Sequence, residues 1–328
     1  MIAIIPAAGE GTRLRPHTHS LPKALLQVAG KPILGHIMDE IMDLGLDEVI
    51  LVVGAMGEKI RGWVEKRYSL PITFVHQEER RGLGHSIYLA RRLVKGRPLL
   101  IVYGDTIFEG DLKGGMNPQV DASLGVKRVE DAGSFGVVEL EGEVVSRLVE
   151  KPGSSLPGLV IVGVNFIYNP DLLFSCLDEL IEKGITTKGE YQLTDAFQLM
   201  VERGGKLTVF PVENWWDCGH PESLLVTNRH LLESLPEPSG RRGCIITPPV
   251  YLSSTAQVEN SILGPYLSVG DGAKISGSII ADSIIGARAE VTNCLLRSSL
   301  VGDNAVVKGN FTRLNVGDSS AIDFKALE

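Results

Sequence analysis

A short aliphatic repeat near the C-terminal end of this 328-residue chain restricts the possible folds more than any other sequence feature. Aliphatic residues recur there at steps of five or six residues, and several are followed directly by glycine, as in V-G-D-G-A and V-G-D-N-A. No helical period gives this spacing. It is typical of a solenoid in which each coil has three short strands and each strand contributes one inward-facing aliphatic residue. The predicted inward positions are Leu252, Val258, Leu263, Val269, Ile275, Ile280, Ile285, Val291, Leu296, Val301 and Val307.

Residues 1–233 follow a different pattern, in which short apolar runs alternate with helical ones. The predicted strands are MIAIIP, EVILVV, PITFV and PLLIVYGD, and the predicted helices are KPILGHIMDEIMDLG, MGEKIRGWVEKR and residues 84–94. Apolar strands separated by helices indicate an α/β domain with a Rossmann-like, mostly parallel sheet covered on both faces. A polar stretch, SLPEPSGRRG at residues 234–243, is the predicted linker. The repeat over residues 244–328 resembles the hexapeptide, left-handed parallel β-helix, with some steps shortened to five residues.

Composition excludes several classes of protein. The formal net charge is −8 and no basic stripe offsets it, which argues against a nucleic-acid partner. The four cysteines are scattered, which fits a reduced cytoplasm better than a disulfide scaffold or a zinc site. No apolar run approaches the ~20 residues of a membrane helix, and the N-terminus lacks the features of a signal peptide. We therefore expect a soluble cytoplasmic protein without a membrane partner.

The loop after the first predicted strand, A-A-G-E-G-T-R-L-R-P, is a candidate phosphate site. It completes neither G-x-x-x-x-G-K-[ST] nor G-x-G-x-x-G, the two common phosphate-binding patterns. Gly9 and Gly11 would allow backbone N–H groups to approach a triphosphate, Arg13 would bind it with a bidentate fork, and Lys23 would act as a point charge. The alternative is a tight turn with solvated basic residues. In a parallel sheet, ligands bind at the carboxyl ends of strands, where this loop and the Gly104-Asp105 pair both lie.

A longer series of motifs points to one family. The run AAGEGTRLRPHTHSLPKALLQVAGKPIL resembles the signature of the sugar-1-phosphate nucleotidylyltransferases, which make nucleotide sugars. Further segments follow in the order of that family, over residues 3 to about 230: Q-E-E-R-R-G-L-G-H-S, Y-G-D-T, F-G-V-V-E, V-E-K-P, G-E-Y-Q-L-T-D and W-W-D-C-G. Within the family the chain is most similar to the glucose-1-phosphate thymidylyltransferases and uridylyltransferases that have a β-helical tail.

The resemblance implies roles for residues that match the family motifs. The implied nucleotide-binding set is Ala8, Gly9, Gly11, Thr12, Arg13, Lys23, Gln77, Gly82 and Asp105, in which Gln77 and Gly82 bind the base. The implied sugar-phosphate set is Gly136, Glu150, Lys151, Gly163 and Glu190. Asp105 and Asp217 are the implied Mg²⁺ ligands, and Arg13, Lys23 and Lys151 the implied catalytic residues. Phe135 replaces the usual Tyr before Gly136, and Asn165 stands where an aromatic residue is more usual, so the identity of the sugar stays open. The seven histidines form no ligand-spaced cluster and are interpreted as structural.

The implied reaction joins a nucleoside triphosphate, dTTP or UTP, to a sugar 1-phosphate, favoured as glucose 1-phosphate, with release of pyrophosphate. Two alternatives stay open. One is a mannose-1-phosphate guanylyltransferase, and the other is a non-catalytic regulatory or assembly subunit with the same pair of domains. Some β-helical tails in this family acetylate amino sugars with a histidine base, but residues 231–328 contain no histidine. We therefore expect an oligomerising or regulatory tail, and a possible homo-oligomer, because a stack of coils leaves faces that need covering.

Overall fold

The computed structural model describes residues 1–153 and 156–309. The chain divides into two units, Met1–Leu231 and a second unit that begins at Leu232. A helix ends at Glu233, and residues 236–241 have no regular secondary structure. The predicted boundaries, 1–233, 234–243 and 244–328, stay a prediction, and residues 310–328 of the predicted β-helix lie outside the described residues.

A nine-stranded sheet forms the centre of the first unit. From one edge to the other its strands are Ile72–His76, Glu48–Val53, Ile2–Ala7, Leu99–Val102, Gly158–Ile167, Ala122–Val129, Leu207–Pro211, Val144–Glu150 and Gly136–Glu141. The first four of these pair in parallel, which confirms the parallel arrangement predicted for the N-terminal strands. Most later pairs are antiparallel, so the sheet as a whole is mixed. One of these pairs is a hairpin: residues 142–143 alone join Gly136–Glu141 to Val144–Glu150, and so short a connection allows only antiparallel pairing.

Helices cover the sheet and bury apolar faces against it. The α-helices are Ile33–Ile41, Gly57–Val64, Leu83–Leu89, Arg91–Val94, Pro170–Glu182, Leu193–Glu202 and Pro221–Glu233. The short 3-10 helices are Thr12–Leu14, His17–His19, Lys23–Leu25 and Met42–Leu44. The first α-helix buries Ile33, Leu34, Ile37 and Ile41, which recur at helical spacing and so form one apolar face. Within the described residues, no helix combines the length and the apolar character needed to cross a membrane.

A two-stranded antiparallel ribbon lies beside the large sheet and positions two carboxylates. Its strands are Thr106–Glu109 and Asn214–Asp217, with Asp217 directly opposite Thr106. The next backbone N–H, that of Cys218, donates to the carbonyl of Asp105 at 3.0 Å. The ribbon therefore places Asp105 and Asp217 side by side, although more than a hundred residues separate them in sequence. A second small ribbon pairs Gln27–Val28 with Lys31–Pro32.

The second unit is a three-sided parallel β-helix, consistent with the left-handed type predicted from the repeat. One side is formed by Ile245–Ile246, Ile262–Leu263, Ile279–Ala281 and Leu295–Arg297. The next contains Val250–Leu252, Leu267–Val269, Ser283–Ile285 and Leu300–Val301, and the third Gln257–Glu259, Lys274–Ser276, Glu290–Thr292 and Val306–Lys308. All the aliphatic positions predicted to face inward belong to, or pack against, a single core cluster between the three sides. The inward orientation of the repeat is therefore confirmed.

Candidate active site

A cavity of about 610 Å³ lies at the carboxyl ends of the strands Ile2–Ala7 and Leu99–Val102. This is the position at which open α/β sheets bind ligands. The lining includes all but one of the residues that the sequence predicted for the site: Ala8, Gly9, Gly11, Thr12, Arg13, Lys23, Gln77, Gly82, Asp105, Gly136, Glu150, Lys151, Glu190 and Asp217. Residues separated by up to two hundred positions in sequence thus surround one space.

The glycine-rich loop folds tightly at one wall of this cavity. Gly11 has φ +61°, and a Cβ there would approach the Thr18 side chain to 2.9 Å. The Thr18 hydroxyl donates to the Gly11 carbonyl at 2.8 Å, which fixes the turn. The 3-10 helix that follows presents Arg13 as an exposed side chain at the mouth of the cavity, where its Nη1 lies 3.0 Å from Nε2 of His220. The loop is thus a tight turn that also presents a cation to the cavity. It combines features of the two alternatives that the sequence left open, the phosphate site and the tight turn.

An acidic pair, Asp105 and Asp217, also lines the cavity. Lys23 Nζ donates to Oδ2 of Asp105 at 2.7 Å, and the Lys23 side chain is only 12% exposed. Burial raises the pKa of Asp217, and the negative charge of Asp105 raises it further, while Lys23 acts in the opposite direction. Lys23 therefore forms a hydrogen bond with Asp105 and acts on Asp217 only through its charge. A single lysine charge next to two carboxylates leaves this part of the site able to bind a cation.

This donor set fits a divalent cation that is shared with a substrate. Two carboxylates meet here, and within the described residues no group of three or more His, Cys, Asp or Glu side chains could hold a metal ion. A hard cation such as Mg²⁺ accepts one or two carboxylates and takes its remaining oxygens from phosphate and water. The carboxylates of Asp105 and Asp217 provide that partial set.

The base-binding candidates lie on the segment before the helix Leu83–Leu89. Gln77 is 7% exposed, and its Nε2 lies 3.2 Å from the Gly82 carbonyl and 3.1 Å from Nδ1 of His85. Gly82 has φ +104°, and a Cβ at this position would stand 2.6 Å from the Tyr191 carbonyl oxygen. Only glycine fits there, because any side chain would both strain the backbone and collide with it. The wall that contains Gln77 is therefore fixed before a ligand arrives.

The sugar-phosphate candidates Gly136, Glu150, Lys151 and Glu190 line the same cavity. Nζ of Lys151 lies 3.2 Å from Oε1 of Glu150, and the Lys151 backbone is left-handed with φ +44°. The backbone N–H of Lys151 donates to the Phe135 carbonyl at 2.9 Å, which ties this turn to the neighbouring strand. A Cβ at Gly136 would approach Thr194 Oγ1 to 2.7 Å and Glu150 Oε2 to 3.2 Å. This part of the lining is therefore tightly packed around the ion pair of Glu150 and Lys151.

Gly163 is the one predicted site residue outside the described lining. It has φ +87°, and a Cβ would stand 2.5 Å from the Tyr103 ring, so this glycine makes room for a tyrosine that does line the cavity. Asn165 is fully buried in the same strand. Sequence reasoning assigned no role to several lining residues, although all of them lie inside the recognised motifs, which is the signal that could have found them: Glu10, Arg80, Ser86, Tyr103, Gln192 and Thr194.

Comparisons with known proteins agree with this geometry. The Nucleotidyl transferase family model matches residues 2–234. A glucose-1-phosphate thymidylyltransferase of Streptomyces antibioticus is 30% identical over 99% of this chain and 100% of its own length. The UTP–glucose-1-phosphate uridylyltransferase AglF of Haloferax volcanii is 32% identical over 71% of this chain and 97% of its own length.

Solved structures show the same fold. A UDP-glucose pyrophosphorylase complexed with UDP-glucose superimposes with a TM-score of 0.60 at 22% identity, covering 71% of this chain and 99% of that one. A putative glucose-1-phosphate thymidylyltransferase from Bacillus anthracis gives a TM-score of 0.62 at 24% identity, covering 73% and 98% of the two chains. The family model spans most of the chain and the whole cavity, and the relatives are similar over nearly their full length; the chain therefore belongs to the nucleotidyl transferase family.

Proposed function

We propose that this protein joins a nucleoside triphosphate to a sugar 1-phosphate, forming a nucleotide sugar and pyrophosphate. The observation that supports this most is that one cavity is lined both by the cationic side chains of Arg13, Lys23 and Lys151 and by the carboxylates of Asp105 and Asp217. Such a site suits two phosphate-bearing substrates and a metal. The names of the relatives favour UTP or dTTP as the triphosphate and glucose 1-phosphate as the sugar.

In the proposed reaction a phosphate oxygen of the sugar 1-phosphate attacks the α-phosphorus of the triphosphate in line. A new P–O bond forms, the bond to the β-phosphate oxygen breaks, and pyrophosphate leaves with that electron pair. No general base is needed, because the attacking phosphate is already an anion at neutral pH. Catalysis then rests on positioning and on electrostatic stabilisation. Lys151 would hold the nucleophile, and Arg13 and Lys23 would stabilise the charge that develops on the departing pyrophosphate.

The carboxylates of Asp105 and Asp217 would hold Mg²⁺, which when bound would neutralise charge on phosphate oxygens. Gln77 and Gly82 would bind the base through a carboxamide and a backbone N–H. Ala8, Gly9, Gly11 and Thr12 would line the triphosphate side. Gly136, Glu150 and Glu190, which line the same cavity, would contact the sugar, and Gly163 would act indirectly by making room for Tyr103.

Substitution of Arg13 tests this assignment. Arg13→Ala should lower turnover by about 10²–10³-fold, the typical loss when one transition-state donor is removed. Arg15→Ala is the matched control, because Arg15 stands on the same loop outside this cavity and pairs with Glu10 at 3.3 Å. Turnover of Arg13→Ala that equals that of Arg15→Ala would remove Arg13 from the mechanism.

A substrate matrix separates the remaining alternatives. Four or five nucleoside triphosphates would be tested against glucose-, glucosamine-, galactose- and mannose-1-phosphate, with pyrophosphate release as the readout. Release with UTP or dTTP and glucose 1-phosphate supports the proposal, whereas preference for GTP and mannose 1-phosphate would indicate a guanylyltransferase. Failure of every pair would indicate a non-catalytic subunit.

We further propose that the β-helix mediates a homo-oligomer. Four aliphatic side chains are stacked in register on one outer face of the described coils, with exposed fractions of 41–80%: Ile245, Ile262, Ile279 and Leu295. A second outer face differs in that it contains the Lys274–Glu290 ion pair, with Val306 next to Glu290 in the same row. Two copies that pack through these four aliphatic side chains would bury no charge there.

A double substitution tests this interface. Ile262→Glu combined with Ile279→Glu should lower the solution mass measured by light scattering, and an unchanged mass would exclude this face.

We also propose a cytoplasmic location. All four cysteines are free thiols, and three of them are buried. Unpaired cysteines are usual in a reducing compartment and uncommon in secreted proteins. Fractionation of cells that express the full chain would test the location, and recovery outside the cytoplasm would contradict it.

A further inference from the structure

His220 contacts Arg13 across the mouth of the cavity. Nε2 of His220 and Nη1 of Arg13 are 3.0 Å apart, although 207 positions separate the two residues in sequence. We propose that His220 is a positioning residue that holds the Arg13 guanidinium in the place where the triphosphate binds. This inference rests on the proposed function, because it assigns His220 to the same reaction. Nothing in the sequence distinguished this histidine from the other six, which is why it was interpreted as structural.

The chemistry of the contact fixes the form of the imidazole. A guanidinium has only N–H donors and no acceptor, so Nε2 of His220 must accept the hydrogen bond. The ring is then neutral, with its proton on Nδ1. Two neighbouring arginines are held differently, since Arg15 and Arg80 both pair with the carboxylate of Glu10. A carboxylate would cancel the charge of Arg13 and compete with a phosphate, whereas a neutral imidazole orients the guanidinium and leaves its positive charge available.

The backbone of His220 is fixed by the start of the helix Pro221–Glu233. Its N–H lies 3.1 Å from the Ser223 hydroxyl oxygen, and that hydroxyl donates to the His220 carbonyl at 3.0 Å. The Leu224 N–H donates to the same carbonyl at 3.0 Å. Asp217 lies three residues earlier on the same segment, and a Cβ at Gly219 would stand 2.9 Å from its carboxylate. One short, well-anchored segment therefore provides both a carboxylate of the acidic pair and the acceptor for Arg13.

Positioning matters here because Arg13 is otherwise an exposed side chain on a surface turn. A long side chain must lose rotamer freedom before it can bind a phosphate, and this loss opposes binding. A hydrogen bond that already selects the productive orientation removes part of that cost. His220 is itself exposed, so its replacement should not disturb the core.

Two substitutions separate positioning from a general structural role. His220→Leu removes the acceptor, and His220→Gln keeps an acceptor at a similar reach. We expect kcat for His220→Leu to fall about tenfold, the scale of one hydrogen bond to a charged group, with the KM for the sugar 1-phosphate unchanged. His220→Gln should recover most of the rate. In an Arg13→Ala background, His220→Leu should have no further effect, because the two residues would act as a unit.

The outcomes distinguish this inference from the proposed function. A wild-type enzyme without activity refutes the function itself. An active wild type with an impaired Arg13→Ala and a normal His220→Leu refutes the positioning role alone, as do additive effects in the double variant. An independent readout is ¹⁵N NMR of the imidazole in the substrate-free protein at neutral pH. The neutral Nδ1–H tautomer is the expected result, and a ring with its proton on Nε2 would overturn the inference.

Discussion

The surroundings of Asp217 disfavour the charged form of its carboxylate. Burial and the nearby Asp105 carboxylate raise its pKa, so the native protein binds a proton at Asp217 more readily than the unfolded chain does. As the pH rises from the ordinary aspartate pKa through the raised native pKa, this group therefore lowers the free energy of unfolding. At neutral pH Asp217→Asn should raise the melting temperature of the metal-free protein and abolish most activity.

Melting temperatures measured against pH in the presence of a chelator test this prediction. The gain for Asp217→Asn over wild type should grow as the pH rises through the titration of Asp217. Asp121→Asn is a suitable control, because Asp121 accepts hydrogen bonds from Asn169 and from the Lys206 backbone in the native fold, at 2.7 and 2.8 Å. That variant should lose stability. A lower melting temperature for Asp217→Asn would contradict the view that the acidic pair opposes folding.

Gly136 offers a second test at the scale of one residue. A Cβ there would approach the Thr194 hydroxyl to 2.7 Å, so Gly136→Ala must displace part of the proposed sugar wall. Overpacking of this kind typically lowers the free energy of unfolding by about 1–3 kcal/mol. Because the displaced groups line the proposed sugar site, the KM for the sugar 1-phosphate should also rise, with a smaller change in the KM for the triphosphate. Gly62→Ala is the control, because a Cβ at Gly62 meets nothing within 4 Å. A normal KM for Gly136→Ala would place the sugar elsewhere in the cavity.

The sequence predicted which residues line the cavity more completely than it predicted their contacts with one another. The glycine-rich loop and the family motifs identified Arg13, Lys23 and Asp105, and the structure places all three on the cavity lining. The contact between Arg13 and His220 could not be predicted, because a single histidine in a charged segment has no local pattern that reveals its partner. Gly163 was expected on the sugar side, but its role depends on the Tyr103 ring, which no spacing in the sequence connects to it.

At the scale of elements, sequence periodicity predicted the strands and helices whose formation depends on local sequence. The N-terminal strands and helices follow from apolar runs, helical spacing and glycine punctuation, and the β-helix follows from its five- to six-residue step. The ribbon of Thr106–Glu109 and Asn214–Asp217 was not predicted. Its strands are short and distant in sequence, so their pairing depends on the packed sheet rather than on either segment.

The β-helix provides a matched pair of isoleucines with opposite orientations, which lie on two of its three sides. Ile275 faces inward and is 1% exposed, whereas Ile262 faces outward and is 41% exposed. Ile275→Ala should lower the free energy of unfolding by about 2–5 kcal/mol, the usual cost of a large-to-small change in a core. Ile262→Ala should change it by less than about 1 kcal/mol in the isolated chain. Chemical denaturation of both variants checks the prediction, and equal losses would contradict the inward and outward assignment.

At the scale of the whole molecule, the fold brings together chemistry that the sequence keeps apart. The glycine-rich loop follows the strand Ile2–Ala7, Asp105 follows Leu99–Val102 and Lys151 follows Val144–Glu150, while Asp217 ends the ribbon strand Asn214–Asp217. All of these residues lie within the unit Met1–Leu231, which agrees with the extent of the family match. In the sequence, only the order of the motifs indicates that these residues belong to one site. The distances between the residues depend on the complete sheet.

The most direct test of the account is ³¹P NMR of a mixture that contains the protein, Mg²⁺, UTP or dTTP, and glucose 1-phosphate. Transfer to the sugar phosphate predicts that the triphosphate signals fall while two coupled diphosphate signals of a nucleotide sugar and one pyrophosphate signal rise in equal molar amounts. Omission of glucose 1-phosphate should stop the reaction. Consumption of the triphosphate without a nucleotide sugar, or at the same rate without the sugar phosphate, would contradict the claim that this cavity joins two phosphate-bearing substrates.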